Sequence, residues 1–251
     1  MLFSKIYEGS TYPTIFIHGF LGSHKDAKSL IHNSFISWHA IDLPGHGKTK
    51  QEAAFKDLTT YLDNLSSSFH LVGYSLGGRV AQKLASHINC KSLSLLSSHT
   101  IFNDQEYLAR IEFEKNLLQN LIIQPLDEFL ITFYNSPIFA SLRHNRSLFE
   151  KYIKARLSQD KDDLIFGLNE LAMTNIVSDL PNCPILGLYG EFDLKYQKIY
   201  TLLPEKVSVV SIDHAGHTIH LENPKSCLKA LEKFIGTVEH DMENMRQLSR
   251  H

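Results

Sequence analysis

Short apolar runs alternate with longer amphipathic stretches along this chain. Apolar runs bounded by turn residues are typical of buried strands, and the amphipathic stretches between them are typical of crossover helices in a parallel sheet. Ligands bind beyond the carboxyl ends of the strands in such sheets, so we expect the chemistry there. Six candidate strands follow from the pattern: residues 14–18 (TIFIH), 38–42 (WHAID), 69–74 (FHLVGY), 92–97 (SLSLLS), 185–189 (ILGLY) and 207–212 (VSVVSI).

The alternation stops in the middle of the chain, where the sequence becomes helical. Two amphipathic runs, DQEYLARIEFEKNLLQNLI and NRSLFEKYIKARL, lie in this part. The segment is too long for an ordinary loop, so we predict a helical insertion over residues 99–180 that covers the strand ends as a lid. Residues 1–98 and 181–251 then form the core. We assign no function to the polar tail, residues 239–251.

Composition and charge exclude several classes of protein. The 251 residues suffice for one compact unit, and 25 Lys and Arg against 27 Asp and Glu leave no basic surplus for binding nucleic acid. Cys90, Cys183 and Cys227 lack the spacing of zinc or redox sites, which predicts buried thiols in a reducing compartment. No apolar run approaches the ~18 residues that a membrane helix needs, and no secretory leader is visible. We expect a cytoplasmic protein that binds no metal, cofactor, nucleic acid or membrane. The sequence leaves its oligomeric state open.

One serine lies between two glycines, in LVGYSLGGRVAQ (residues 71–82). Ser75 has Gly73 and Gly77 two positions away on either side, follows a candidate strand and precedes a helical run. G-x-S-x-G in this context places the serine on a sharp strand-to-helix turn, where a larger residue at either glycine would crowd the backbone. We therefore predict that Ser75 is an activated hydroxyl.

The acid that orients the general base should follow a late strand. A serine hydroxyl reacts only when a histidine takes its proton and a carboxylate orients that histidine. The stretch ILGLYGEFD places Asp193 just beyond a candidate strand. Glu191, nearer the strand end, and Asp213, in the loop that carries the histidine, are the competing carboxylates. Asp193 is the predicted acid.

The histidine should lie in a turn after the last strand. The stretch SIDHAGHTIHLENP supplies His214, His217 and His220. Only His217 follows a glycine, which allows the loop to return toward the serine. We predict His217 as the base, with the other two as neighbours.

An oxyanion hole needs two backbone N–H groups aimed at one point. Leu76 supplies one at the start of the helix that follows Ser75. The stretch FIHGFLGS offers Phe20, in the loop after the first candidate strand, as the other. An apolar turn is the alternative explanation for that loop.

The segments HGF, DLPGHG, GYSLGG, GEFD and AGH resemble the α/β-hydrolase superfamily in type and order. The resemblance implies α/β architecture, with a mostly parallel twisted sheet flanked by helices and a helical lid insertion. Segments inside the lid, such as EYLAR, PLDEFLITFYNSPIFASL and IKARL, are similar to the 2-succinyl-6-hydroxy-2,4-cyclohexadiene-1-carboxylate synthases of menaquinone biosynthesis.

That second resemblance implies a particular reaction. Members of this family eliminate pyruvate from a cyclohexene with several carboxylates, 2-succinyl-5-enolpyruvyl-6-hydroxy-3-cyclohexene-1-carboxylate, and use the triad as a base without forming an acyl-enzyme. The chain departs from the family at Phe133 and Ala27, where many members have tryptophan. The resemblance implies these substrate-binding residues: Tyr74, Arg79, Arg110, Phe133, Arg156 and Lys195.

The arginines separate this hypothesis from its competitors. A planar guanidinium binds a carboxylate through two parallel hydrogen bonds, and Arg79 lies one turn after Ser75, where it can face the cleft. A solvated helix face is the alternative for each arginine alone. Two other functions stay open: a carboxylesterase or thioesterase that works through an acyl group on Ser75, and a binding protein of the same fold without catalysis.

Overall fold

The computed structural model describes residues 1–32, 34–100, 104–171 and 179–248. Their central feature is a seven-stranded sheet with the strand order β1-β3-β2-β4-β5-β6-β7. Only β1 runs antiparallel, against β3; the other pairs are parallel. The predicted α/β architecture is confirmed. The strands are β1 Ser4–Tyr7, β2 Thr14–Ile17, β3 Trp38–Ile41, β4 Phe69–Tyr74, β5 Cys90–Leu96, β6 Ile185–Gly190 and β7 Val207–Ile212.

Helices flank the sheet and fill the long connection between β5 and β6. Those around the sheet are α1 Lys28–Ile31, α2 Phe55–Asp63, α3 Leu76–Leu84, α9 Leu194–Tyr200, α10 Ile219–Glu222 and α11 Pro224–Leu248. Those in the connection are α4 Asp104–Ile123, α5 Leu126–Tyr134, α6 Ala140–His144, α7 Arg146–Leu157 and α8 Lys161–Leu171. None of the helices described combines the length and apolarity needed to cross a membrane.

Apolar side chains cover both faces of the sheet, because successive residues of a strand point to opposite sides. In β2, Ile15 packs in a cluster with Val80 of α3, and Phe16 packs in a second cluster with Leu231 of α11. Strands β2 to β6 are buried on both faces, which explains their continuous apolar sequences. This packing fixes the strand ends against which the site is built.

A third apolar cluster belongs to the connection between β5 and β6. Its buried members include Leu121 of α4 and Phe129 of α5, together with Leu21 from the loop after β2. These helices are thus packed on the loop that sequence analysis selected for the oxyanion hole. At the other end of the chain, α11 continues through the predicted tail to Leu248, and Glu239 within it accepts a hydrogen bond from the backbone N–H of Tyr12 at 2.7 Å.

Candidate active site

Ser75 lies on the sharp turn between β4 and α3. Its φ and ψ are 51° and −113°, a left-handed conformation that side chains rarely adopt. The turn is crowded: a Cβ on Gly73 would lie 2.5 Å from the Cα of Gly78, and one on Gly19 would lie 2.8 Å from the Tyr74 ring. The glycines around Ser75 therefore permit a turn that presents its hydroxyl beyond the strand end.

Two consecutive hydrogen bonds join the side chains of Ser75, His217 and Asp193. The Oγ of Ser75 lies 3.3 Å from Nε2 of His217, and Nδ1 of His217 lies 2.8 Å from Oδ2 of Asp193. Asp193 caps α9, where its Oδ1 accepts a hydrogen bond from the backbone N–H of Tyr196 at 3.3 Å. Since Asp193 accepts the proton of Nδ1, Nε2 is left to accept the proton of Ser75. This is the arrangement of an activated serine.

The competing carboxylates and histidines lie elsewhere. Glu191 accepts a hydrogen bond from the backbone N–H of His214 at 2.8 Å, and the side chain of His214 is 86% exposed. Asp213 accepts a hydrogen bond from Asn223 through its backbone carbonyl. His220 is buried against Tyr74, with ring centroids 4.4 Å apart. Of the alternatives, the structure brings Asp193 and His217 to Ser75.

A cavity of about 410 Å³ opens in front of Ser75. Phe20 and Leu76, the predicted oxyanion donors, both line it beside Ser75. Sequence analysis missed the aromatic side chain of Phe139, which lies edge-on to His217 with ring centroids 5.5 Å apart. The predicted residues in the cavity wall are Phe20, Ser75, Leu76, Arg79, Arg110, Phe133, Lys195 and His217.

Two arginines in this wall share one buried carboxylate. Glu114 of α4 accepts hydrogen bonds through the same oxygen from Nη2 of Arg79 and Nε of Arg110, each at 2.5 Å. Burial and the neighbouring Arg110 lower the pKa of Arg79 to about 10, so its guanidinium stays protonated at neutral pH. Sequence analysis missed Glu114, since a glutamate four residues after an arginine is also what an exposed helix face contains.

Positive charge continues along the edge of the cavity. Burial and Arg110 lower the pKa of Lys195. A second cavity of about 420 Å³ shares Arg110 and Lys195 with the first and adds Lys198 and His99, with Glu106 as its one carboxylate among the described lining residues. Burial and the charges of Lys195 and Arg110 lower the pKa of His99 to about 3. The electrostatic environment therefore favours an anionic ligand.

Arg156 is a predicted substrate-binding residue that the structure places outside the cavity wall. Its guanidinium donates two hydrogen bonds to Asp26, at 3.1 and 2.6 Å, and stacks on the ring of Tyr152 at 3.5 Å. Burial alone would lower the pKa of Arg156, but Asp26 and nearby tyrosines raise it well above its usual value. The side chain is thus committed to an ion pair inside the protein.

Tyr74 likewise lies outside the cavity wall. Its ring packs beneath the turn between His217 and His220, with centroid distances of 5.4 and 4.4 Å. Burial raises the pKa of Tyr74 well above its usual value. For Tyr74 and Arg156, a contact with substrate stays a prediction from resemblance.

The described part of the chain contains no group of three or more His, Cys, Asp or Glu side chains arranged to hold a metal ion. The cavity wall brings together a hydrogen-bonded serine and histidine, the predicted oxyanion residues Phe20 and Leu76, and the cations of Arg79, Arg110 and Lys195.

The chain is similar to known proteins in both sequence and structure. A 2-succinyl-6-hydroxy-2,4-cyclohexadiene-1-carboxylate synthase of Klebsiella pneumoniae subsp. pneumoniae is 28% identical, over 90% of this chain and 95% of that protein. The structure of MenH from S. aureus superposes with a TM-score of 0.78 at 25% identity, over 94% of this chain and 98% of that one. An esterase of Exiguobacterium antarcticum superposes with a TM-score of 0.74 at 15% identity, over 94% and 95% of the two chains.

A protein-family model matches most of this chain. The model, described as the alpha/beta hydrolase family, matches residues 14–230, which run from β2 into α11. The matched part contains Ser75, Asp193 and His217 as well as the helices between β5 and β6. This chain belongs to the alpha/beta hydrolase family.

Proposed function

We propose that this protein is a lyase that eliminates pyruvate from 2-succinyl-5-enolpyruvyl-6-hydroxy-3-cyclohexene-1-carboxylate, in menaquinone biosynthesis. Relatives over most of the chain carry the name of the synthase that makes the product, 2-succinyl-6-hydroxy-2,4-cyclohexadiene-1-carboxylate. The reaction gives a role to Ser75, His217 and the arginines that line the cavity.

The observation that carries this proposal is the pairing of Ser75 with two arginines in one cavity. Arg79 lies on the first turn of α3 after Ser75, and Arg110 reaches the same cavity from α4. The acyl part of a simple ester is neutral and gains little from buried cations. A substrate with several carboxylates needs cations in a fixed geometry, which guanidinium groups supply.

The names of substrate and product define which bonds change. A 3-cyclohexene becomes a 2,4-cyclohexadiene, so the hydrogen at ring carbon 2 leaves as a proton and its electron pair forms the new bond to carbon 3. The electrons between carbons 3 and 4 move to carbons 4 and 5, and the bond from carbon 5 to the enolpyruvyl oxygen breaks. The enolpyruvate that departs takes up a proton and becomes pyruvate.

The triad supplies the base for the first of these changes. His217 accepts the proton of Ser75 at Nε2, and the Ser75 oxygen removes the proton at ring carbon 2. The succinyl carbonyl next to that carbon acidifies it, and its oxygen becomes negative as the proton leaves. We assign the stabilisation of that oxyanion to the backbone N–H groups of Phe20 and Leu76. No bond to Ser75 forms.

A direct test supplies the enolpyruvyl substrate and measures pyruvate with a coupled lactate dehydrogenase assay. We expect one pyruvate for each substrate consumed and, since Ser75 is the base, loss of turnover in Ser75→Ala by at least about a thousandfold. Ser86→Ala, at an exposed serine two residues after α3, is the matched control. No pyruvate from the wild-type protein above the uncatalysed rate would refute the proposal.

The apolar part of the cavity wall supports a second candidate, a carboxylesterase or thioesterase. Phe20, Phe133, Ile138, Phe139 and Leu168 offer surface for an acyl chain. This function requires a covalent acyl group on Ser75. Mass spectrometry after rapid quenching with a chromogenic ester distinguishes the two: a trapped acyl group on Ser75, with no pyruvate from the enolpyruvyl substrate, favours the hydrolase.

We also infer a small-molecule ligand and a cytoplasmic location. Cys90, Cys183 and Cys227 are free thiols, which suits a reducing compartment. The absence of a basic surplus in the sequence argues against nucleic acid as a partner. Cell fractionation with an antibody tests the location.

A further inference from the structure

Glu114 is a buried carboxylate that the proposed reaction does not use. It lies on α4 one turn after Arg110, and its side chain is 2% exposed. One of its oxygens accepts hydrogen bonds from both Arg79 and Arg110 at 2.5 Å. Its other oxygen has no hydrogen-bond partner within the described ranges. The only compensation seen for this buried charge comes from the two arginines that face the cavity.

The shared oxygen constrains how the two guanidinium groups are presented. A guanidinium has five N–H donors in a planar fork, which is more than one hydrogen bond to Glu114 uses. Glu114 holds Arg79 through one terminal nitrogen and Arg110 through Nε. It therefore fixes the orientation of both guanidinium groups in the wall of the cavity that they line.

The charges explain why such an anchor is needed. Two guanidinium groups bound to one oxygen would repel each other if that oxygen were uncharged. Arg79 is 4% exposed and cannot move into water, whereas the side chain of Arg110, at 22%, is partly in contact with it. Without the carboxylate, Arg110 would turn toward solvent and the pair would separate. With the carboxylate in place, the two arginines stay together, and the three groups carry a net charge of +1 that attracts an anionic ligand.

We infer that Glu114 is a positioning residue that holds Arg79 and Arg110 as one binding site for a carboxylate of a polycarboxylate ligand. The inference rests on the proposed function for its choice of substrate, and it concerns binding rather than proton removal. Glu114 touches neither substrate nor Ser75 in this role. Its removal should change KM and ligand affinity far more than kcat.

The test compares Glu114→Gln with wild type in three measurements. Calorimetry gives the Kd of propane-1,2,3-tricarboxylate, steady-state kinetics gives kcat and KM for the enolpyruvyl substrate, and thermal unfolding gives Tm. Because charge-assisted hydrogen bonds are about twice as strong as neutral ones, we expect Kd and KM to rise by about tenfold. We expect kcat to change by less than about threefold, because the base is untouched.

Two further variants separate positioning from folding. Glu150→Gln is the matched control, since Glu150 forms the same kind of pair with Arg146 four residues away on α7 and is 64% exposed. It should leave Kd, KM and Tm unchanged. Glu114→Asp keeps the charge on a shorter side chain, so we expect a Kd between those of wild type and Glu114→Gln. If Glu114→Gln does not fold, a folded Glu114→Asp with wild-type Kd overturns the inference.

Other outcomes contradict the inference in distinct ways. Unchanged Kd and KM in Glu114→Gln would mean that the arginines hold their positions alone. Tighter tricarboxylate binding would mean that Glu114 only competes with the ligand, and a lower Tm with equal loss of kcat and affinity would mean that it only stabilises the fold. Lack of binding to wild type would also overturn the inference. If wild type binds the tricarboxylate but releases no pyruvate, the proposed function fails and the Kd comparison still decides the role of Glu114.

Discussion

The Nδ1 atom of His217 lies 2.8 Å from Oδ2 of Asp193, and neither side chain is more than 2% exposed. The other oxygen of Asp193 accepts the backbone N–H of Tyr196. The carboxylate is therefore held at both oxygens, and the single hydrogen bond to His217 fixes the orientation and tautomer of the imidazole. Ser75 depends on that tautomer to lose its proton.

Asp193→Asn should abolish most of the activity while preserving the fold. The amide oxygen would keep the bond to Tyr196, which turns the amide N–H₂ toward His217 and reverses the tautomer. We expect turnover, measured as pyruvate release, to fall by about a thousandfold or more. Glu191→Gln, at a side chain 49% exposed, should retain activity. An equal loss in Glu191→Gln would contradict the assignment of the acid.

The backbone conformation of Ser75 predicts a difference between two inactive variants. Its φ of 51° is unfavourable for any residue with a Cβ and favourable for glycine. Ser75→Gly should unfold with a free energy about 1 kcal/mol higher than that of Ser75→Ala in urea titrations. At Ser158, where φ is −82°, the same two substitutions should show no advantage for glycine. If Ser75→Gly is less stable than Ser75→Ala, the turn is not strained.

Arg110 should contribute to the binding of carboxylates and little to the chemistry of the triad. Its side chain lines the cavity from α4 and is 22% exposed. Hydrogen bonds to charged groups contribute about 1.5–3 kcal/mol, so KM for the polycarboxylate should rise by about ten- to a hundredfold in Arg110→Ala. Arg146→Ala, at a 90% exposed side chain, is the control. Cleavage of a small neutral ester should change little, and an equal loss on both substrates would refute the role.

The strands and the turn at Ser75 were predictable because local sequence determines them. Continuous apolar runs predicted strands β2 to β7, and each predicted end lies within two residues of the observed end. The edge strand β1 was missed, since its four residues are only partly buried and lack a strong apolar pattern. Its position depends on pairing with Trp38–Ile41, which no local pattern reveals.

The side-chain partners of charged residues were less predictable than the hydrogen bonds that join Ser75, His217 and Asp193. Arg156 is paired with Asp26, 130 residues earlier in the chain, and sequence spacing gives no sign of such a pair. Glu114 lies four residues from Arg110, but only the packing of α4 against the core brings Arg79 to the same oxygen. These pairs form because both side chains are buried at the same place, and which polar side chains become buried depends on the assembled fold rather than on the local sequence.

The buried pair of Arg156 and Asp26 predicts a large effect on stability. Burial alone would raise the pKa of Asp26, but Arg156 lowers it overall. Arg156→Met leaves an uncompensated buried carboxylate and should lower the free energy of unfolding by about 3–5 kcal/mol in urea titrations. Lys50→Met is the control, since Lys50 is 58% exposed in its pair with Asp163 and should cost less than about 1 kcal/mol.

A second variant separates loss of the pair from loss of packing. Asp26→Leu combined with Arg156→Met removes both charges, so the double variant should be more stable than Arg156→Met alone. A double variant that is less stable than Arg156→Met would mean that the aliphatic contacts of these side chains, rather than the stranded charge, cause the loss.

His220 predicts how stability depends on pH. Burial, aided by Arg156 and His217, lowers its pKa from 6.5 to about 4. Between these two values the unfolded chain binds a proton that the folded protein does not, so stability falls as pH decreases from about 6.5 to about 4, by up to about 3 kcal/mol. Both ring nitrogens lack hydrogen-bond partners in the described part of the chain. His220→Leu should therefore unfold with a flatter dependence on pH and little loss at pH 7.

The measurement is urea unfolding of wild type and variant at several values from pH 7 to about 4.5. The pH dependence that remains in His220→Leu comes from other buried histidines such as His18 and His46, whose pKa values are also lowered by burial. His240→Leu, at an exposed position of α11, should reproduce the wild-type slope. Identical slopes in wild type and His220→Leu would show that His220 binds its proton equally well in the folded and unfolded protein.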